Sequence, residues 1–178
     1  MPELPEVETV RTSLLPHIVG KRIVKVSTRR NDVLLSPPAR LEGRVITGAD
    51  RRGKYLILLL DDNSRLMLHL RMTGQLVYHK NCPEPETHTH VQLILEPEGC
   101  LSWTDVRRFG RLQQFAAGES PAGTAFAGLD RLGPEPVADN ITVDYLQAVC
   151  KRHARASIKS LLLDQTVIAA LGNIYADE

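Results

Sequence analysis

A chain of 178 residues suffices for one good core, or for a medium domain plus a small one. With 43% hydrophobic and 24% charged residues it reads as an ordinary soluble protein. No apolar run reaches the roughly 18–20 residues of a membrane span, and the acidic start MPELPEVETV lacks the basic-then-apolar plan of a secretory signal. A cytoplasmic location is therefore expected. The net charge of +1 is uneven: residues 1–80 carry +6 and residues 81–178 carry −5. A basic first half points weakly to a polyanionic partner, and chance asymmetry of a solvated surface explains it equally well. Cys82, Cys100 and Cys150 form no C-x-x-C pair and fit no common zinc spacing. An odd, scattered set argues against a disulfide framework, so each is expected to be a small apolar side chain.

In chain order, residues 5–18 predict a helix. Pro5 suits the first turn, acids follow it, and Val7, Val10, Leu14 and Leu15 fall at helical spacing. Gly20 is a natural stop. From about 22 to 116 short strands follow. RIVKVSTR alternates, and GRVITGADR does so in part. Two apolar runs flank Asp61-Asp62-Asn63 as a hairpin, and a second hairpin turns near Glu96–Gly99. RRFGRLQQFA reads as one more strand. This pattern suggests a β-sandwich or barrel. Residues 117–140 are rich in Gly, Ala and Pro and read as a linker. Helical periodicity then returns. Thr142 is placed to cap VDYLQAVCKRHAR, and Ser157 to open IKSLLLDQ. TVIAAL reads as a third short helix, and a fourth begins at Gly172-Asn173.

The first residues carry possible chemistry. Once Met1 is removed, Pro2 bears a free secondary amine. An α-amino group has a pKa near ~7.7–8.0, so much of it is unprotonated at neutral pH. Such an amine can attack C1′ of a sugar and form an iminium, with Glu3 moving protons beside it. An unremarkable processed terminus is the competing reading of these two residues.

MPELPEVET resembles the N-terminal signature of formamidopyrimidine-DNA glycosylases almost letter for letter. The resemblance continues in order through GKYL at 53–56, HLRMTG at 69–74, HTHVQL at 88–93, TDVRRFG at 104–110, LGPEP at 132–136, and IKSLLLDQ…LGNIYADE at 158–178. Leu after Pro-Glu, and the Arg-Arg-Phe-Gly block, favour this branch over the endonuclease VIII group. The resemblance implies an α+β fold: an N-terminal helix with a two-layer antiparallel β-sandwich over 1–116, a linker over 117–140, and an incomplete helix–two-turn–helix DNA-binding domain over 141–178. It implies a bifunctional DNA glycosylase and AP lyase of base excision repair. Such an enzyme removes 8-oxoguanine and formamidopyrimidines from duplex DNA through a Schiff base on the N-terminal proline.

On that resemblance Pro2 is the nucleophile and Glu3 its acid–base partner. Lys54 holds the lesion phosphate and sugar and stabilises charge during elimination; a plain surface lysine is the alternative. Glu6 lies near the active site, or else only offsets the helix dipole. Met72, Arg107 and Phe109 match the residues that fill the gap left by an extruded base, with Arg107 reading the orphaned cytosine. By periodicity alone, Met72 and Phe109 would more often be core residues. His88, Arg155, Lys159 and Asn173 match DNA-backbone contacts, and His69 and Arg71, flanking the Met72 loop, are expected to face DNA. Arg155 and Lys159, four apart, would share a helical face. Asn173 would open an anion-binding helix start. His88 and His90 also fit a solvent-facing pair, and a metal on them is not expected.

Relatives are half as long again and carry a lid loop and a four-cysteine zinc finger after this point. A piece of a longer protein is therefore expected, with no zinc or other cofactor in the chain itself. Ala170 stands where many relatives have Gly; a positive φ there would cost on the order of 1 kcal/mol. The expected partner is damaged double-stranded DNA, bound by a monomer associated with the bacterial nucleoid. The competing class is a DNA-binding fragment with impaired catalysis; a structural or protein-interaction domain would ignore the N-terminal signature.

Overall fold

The computed structural model describes residues 2–137 and 141–178. Met1 and the end of the expected linker, 138–140, lie outside the described residues. The chain divides into two compact units, one of Met1–Arg51 with Tyr55–Ser120, the other of Arg52–Lys54 with Pro121–Glu178.

The first unit begins with helix α1 (Leu4–Ile18), which buries Val7, Leu14 and Ile18. Val10 and Leu15 pack partly against the same core. The helix stops at Val19, and Gly20 follows at φ +82°. Eight strands come next: β1 (Arg22–Thr28), β2 (Ile46–Arg52), β3 (Tyr55–Leu60), β4 (Arg65–His69), β5 (Gly74–His79), β6 (Thr89–Glu96), β7 (Cys100–Asp105) and β8 (Arg111–Phe115). They form two four-stranded sheets, ordered β1-β6-β7-β5 and β2-β3-β4-β8. The β3–β4 and β6–β7 hairpins sit where the sequence places them. Side chains of both sheets and α1 meet in one core that includes Ile23, Leu56, Leu58, Leu68 and Trp103, all fully buried. The segment before β2 closes the edge at β8: Leu112 N–H donates to Val33 O (2.9 Å) and Leu35 N–H to Leu112 O (2.8 Å). This occupies an edge that would otherwise be open to pairing with another chain.

Four sequence expectations differ from the structure. Strand β5 was not foreseen, although Leu76 is buried between exposed Gln75 and Val77 as an alternating strand requires. RRFGRLQQFA is not one strand: only Arg111–Phe115 pairs, opposite Arg65–His69 of β4, and residues before it form a loop. TVIAAL is a turn rather than a helix. Cys82 and Cys100 form a disulfide, with Cα atoms 5.4 Å apart, and Cys150 is free. The β5–β7 ladder sets His79 opposite Cys100, so a chain leaving β5 brings Cys82 alongside, a tertiary consequence invisible in the spacing. The expected use as plain apolar groups is corrected for Cys82 and Cys100, while Cys150, half-buried, packs against the apolar core of the second unit.

In the second unit, residues 121–137 are more than a bare connector, since Pro121 and Phe126 are buried and a 3-10 turn spans Leu129–Arg131. Helices α2 (Val143–Arg152), α3 (Ile158–Leu163) and α4 (Asn173–Asp177) follow. Thr142 Oγ1 accepts the Tyr145 amide (3.2 Å) and Ser157 Oγ the Ser160 amide (3.1 Å), the caps read from sequence. Val149, Leu161, Val167 and Ile168 form a small core, and Tyr145 Oη donates to Val167 O (2.6 Å).

Candidate functional site

The N-terminal residues are held by the helix they begin. Glu3 is the N-cap of α1 and forms a reciprocal capping box with Glu6. The Glu3 amide donates to Glu6 Oε2 (2.9 Å), and Glu3 itself is buried at 1% exposure. Pro2, half-buried, is thereby fixed just ahead of a rigid helical turn. Both readings of Glu6 meet here, since its carboxylate sits in the first turn and braces the residue beside Pro2. One turn on, Glu8 engages Arg11 and Arg51. The Arg11 hydrogen bond, ahead of that from Arg51, holds the Glu8 carboxyl below the usual carboxylate range.

Two loops carry the predicted gap-filling residues, and sheet pairing brings them together. The β4–β5 and β7–β8 loops each cross from one sheet to the other. Because β4 pairs with β8 (His69 opposite Arg111) and β5 with β7 (Gly74 opposite Asp105), the loops emerge side by side. In the first, Arg71 adopts φ +55°, and its amide donates to His69 Nδ1 (3.1 Å). Met72 stands at the tip, 46% exposed. In the second, Arg108 adopts φ +57° and Phe109 is 49% exposed. Arg107 joins the two: Nη1 donates to Met72 Sδ (3.1 Å), and the guanidinium lies 4.8 Å from the Phe109 ring centre. Met72 and Phe109 are thus not core residues. Under the loops lies Trp103. A Cβ on Gly74 would come within 2.9 Å of its ring, and one on Gly110 within 2.4 Å, so neither loop end tolerates a side chain.

Other expectations shift. His69 does not present its ring to solvent. It is buried, meets Tyr55 edge-on at 4.7 Å, and props the Arg71 amide. Burial raises the Tyr55 phenol above its ordinary pKa. His88 is exposed just before β6, whereas His90 is buried with Nε2 2.9 Å from Asp105 O, so the two are not a solvent-facing pair. The residue that sequence reading passed over is Asp105. It has no exposed surface and lies at the join of both loops. It stands inside the TDVRRFG block, the one signal available.

In the second unit, Lys54 is buried in the turn after Gly53, which adopts φ +58°. That turn is clasped by Glu135, also missed: its Oε1 accepts the Gly53 amide, and it pairs with Arg52 at 3.5 Å. Arg52 also donates to Gly133 O (2.9 Å). A Cβ on Gly133 would meet Thr166 O and Val167 O at 2.5 and 2.7 Å, so LGPEP seats closely on the 164–171 turn. Arg155 and Lys159 are exposed, but Arg155 lies in the α2–α3 turn rather than on the helix with Lys159. Lys159 pairs with Asp177 of α4. Asn173 is exposed at the start of α4. Ala170 does adopt φ +72°, and its amide donates to Gln165 Oε1 (2.9 Å). Gln165 Nε2 completes the brace on Leu163 O and Leu171 O. Among the described residues no group of three or more His, Cys, Asp or Glu is arranged to hold a metal, and no helix is long and apolar enough to cross a membrane.

The described residues thus pair an N-terminal helix and two four-stranded sheets with a group of short helices, two of them capped by side chains. The formamidopyrimidine-DNA glycosylase N-terminal domain matches residues 1–112, and that family's H2TH domain matches residues 132–178. The chain belongs to the formamidopyrimidine-DNA glycosylase family. It is 45% identical over 187 residues to the formamidopyrimidine-DNA glycosylase of Heliobacterium modesticaldum, covering 100% of this chain and 66% of the relative. Identity to the Desulfitobacterium hafniense (strain DSM 10664 / DCB-2) protein of that name is 41% over 184 residues, covering 100% of this chain and 65% of that one. Among solved structures, Lactococcus lactis Fpg in complex with abasic-site DNA superposes with a TM-score of 0.86 at 35% identity, over 99% of this chain and 65% of that one. A G226P mutant of the L. lactis enzyme with Fapy-dG DNA gives the same TM-score and identity. The chain thus spans about two thirds of the length of the relatives it matches.

Proposed function

We propose that this chain carries the catalytic residues of a bifunctional DNA glycosylase and AP lyase that removes oxidised purines from duplex DNA in base excision repair. The observation that carries the reading is the cluster of Met72, Arg107 and Phe109. Two large apolar side chains stand about half exposed on adjoining loops, tied together by one guanidinium. Water penalises such a cluster, and its shape suits insertion into a stacked duplex from which one base has been withdrawn.

The chemistry follows from the first residues. The Pro2 nitrogen lone pair attacks C1′ of the damaged nucleotide, the C1′–base bond breaks, and the base leaves with a proton. Glu3, fixed by the capping box, delivers a proton to the sugar ring oxygen as the ring opens. The resulting iminium acidifies the neighbouring C2′–H, and its loss expels the 3′ phosphate. Lys54 is assigned to the lesion phosphate and to charge developing in that step. Arg71, His88, Arg155, Lys159 and Asn173 are assigned to the DNA backbone, whose register they would set without reading sequence. His69 supports the first loop from beneath.

The expected working form is a monomer in the bacterial cytoplasm, held to the nucleoid by DNA. With Cys82 and Cys100 bonded, that placement rests on the DNA partner. The second reading is a DNA-binding fragment without catalysis, with the exposed Arg155 and Lys159 as its contacts to the backbone. Trapping decides between them. The purified chain is incubated with a duplex bearing 8-oxoguanine or an abasic site, then reduced with borohydride. A covalent adduct that disappears in Pro2→Gly supports the enzyme; binding without an adduct supports the fragment.

A further inference from the structure

We infer that the Asp105 carboxylate is a positioning residue that locks the two inserting loops into one preset unit, and so governs filling of the base gap rather than bond breaking. This rests on the reading of Met72, Arg107 and Phe109 given above.

Asp105 is fully buried at the end of β7. Its Oδ1 accepts from Thr73 Oγ1, on the first loop, and from the Arg107 amide (3.2 Å), on the second. Its Oδ2 accepts the Gly110 amide (2.8 Å), where the second loop closes. One carboxylate therefore holds the beginning and end of one loop and the last residue of the other. Thr73 Oγ1 in turn accepts the Arg107 amide (3.0 Å), closing a small ring of bonds across the loops. The main chain of Asp105 is fixed as well, its amide to His88 O (3.0 Å) and its carbonyl to His90 Nε2 (2.9 Å). These carboxylate partners are loop donors, none of them a cationic side chain. The group thus orders backbone that two positive-φ arginines, Arg71 and Arg108, would otherwise leave strained and free to relax. Loops fixed before they meet DNA do not lose that freedom on insertion, so the gap is filled more often and held longer.

The test compares substrates that do and do not contain a gap. Thr73→Val severs only the cross-loop link, and Asp105→Asn keeps one acceptor while setting an amide against the Gly110 N–H. Gap filling is read from 2-aminopurine placed opposite a tetrahydrofuran site in duplex DNA. Bond formation is read from borohydride trapping on single-stranded abasic DNA, where nothing needs filling. The inference expects the 2-aminopurine response at saturating protein to fall at least about fivefold in both variants, while single-strand trapping changes by less than about twofold. Hydrogen exchange at Arg107 and Gly110 should quicken together in Asp105→Asn. A wild-type 2-aminopurine response in Thr73→Val overturns the inference, as does a parallel loss of trapping. If Asp105→Asn does not fold, Thr73→Val alone decides. Should the wild-type chain itself give neither response nor adduct, the proposed function falls and this inference with it. A working wild type matched by its variants sinks the inference only.

Discussion

In the sheet unit, Leu56, Leu58, Leu66 and Leu68 lie fully buried within a core shared by both sheets and α1, whereas among the described residues of the helical unit Val149, Leu161, Val167 and Ile168 form a smaller cluster, with Phe126 also fully buried. The helical unit compensates with polar clasps: two side-chain caps, the Gln165 brace, and Glu135 on the Gly53 turn. Hydrophobic burial scales with area and tolerates local loosening elsewhere. A clasp depends on single atoms, and losing one exposes a whole turn. The contrast places Pro2 and the Met72 and Phe109 loops on the unit with the larger apolar core, and the exposed Arg155 and Lys159 on the unit held by clasps.

Five substitutions probe that contrast, in descending order of effect. Leu58→Ala removes a fully buried side chain from the sheet core and should cost about 2–5 kcal/mol, read from chemical denaturation. Glu135→Ala leaves the Gly53 amide and Arg52 without their clasp and should cost about 1–3 kcal/mol, with faster hydrogen exchange at Gly53. Thr142→Ala and Ser157→Ala should each cost about 1 kcal/mol, seen as earlier loss of helical circular dichroism with the sheet signal retained. The smallest effect is pH-dependent. The Thr166 hydroxyl, then its amide, holds the Asp164 carboxyl below the ordinary carboxylate value. Folding therefore favours the ionised form. The stabilisation is complete above the unfolded-state value and is lost as pH falls through the lower folded-state value. Thr166→Val should raise that folded-state value, visible by NMR titration, and leave stability at neutral pH slightly lower. If cap or clasp losses instead melted both units together, the contrast between them would be wrong.

Local chemistry was legible in the sequence where it is local in the structure. The first helix follows from Pro5, the early acids and the Val7–Leu14 stripe; the caps follow from Thr142 and Ser157; the β3–β4 turn follows from Asp61–Asn63. Strand β5 was missed because its alternation is short and begins within a block read as a loop. TVIAAL has helical composition, but the Asp164–Thr166 turn and the positive φ of Ala170 end any helix there. At the candidate site, family resemblance singled out Met72, Arg107 and Phe109, which the two loops bring together; periodicity pointed Met72 and Phe109 to the core. Asp105 sat in the same block, yet its role appears only when β5 and β7 are in register. His69 was misplaced because a histidine ending a strand can turn either way, and Tyr55 turns it inward.

The Cys82–Cys100 bond closes a covalent ring around β6 and the exposed stretch that leads into it, including Glu84, Glu86 and His88. A backbone break within that stretch would not release a fragment. Both halves would stay linked through sulfur, with Gln92 still donating to Pro83 O (3.0 Å) and Arg29 to Glu86 O (3.1 Å) across the ring. This exposed segment, open to proteolytic nicking, is thus also one whose nicking leaves the molecule in a single piece until a reductant opens the ring.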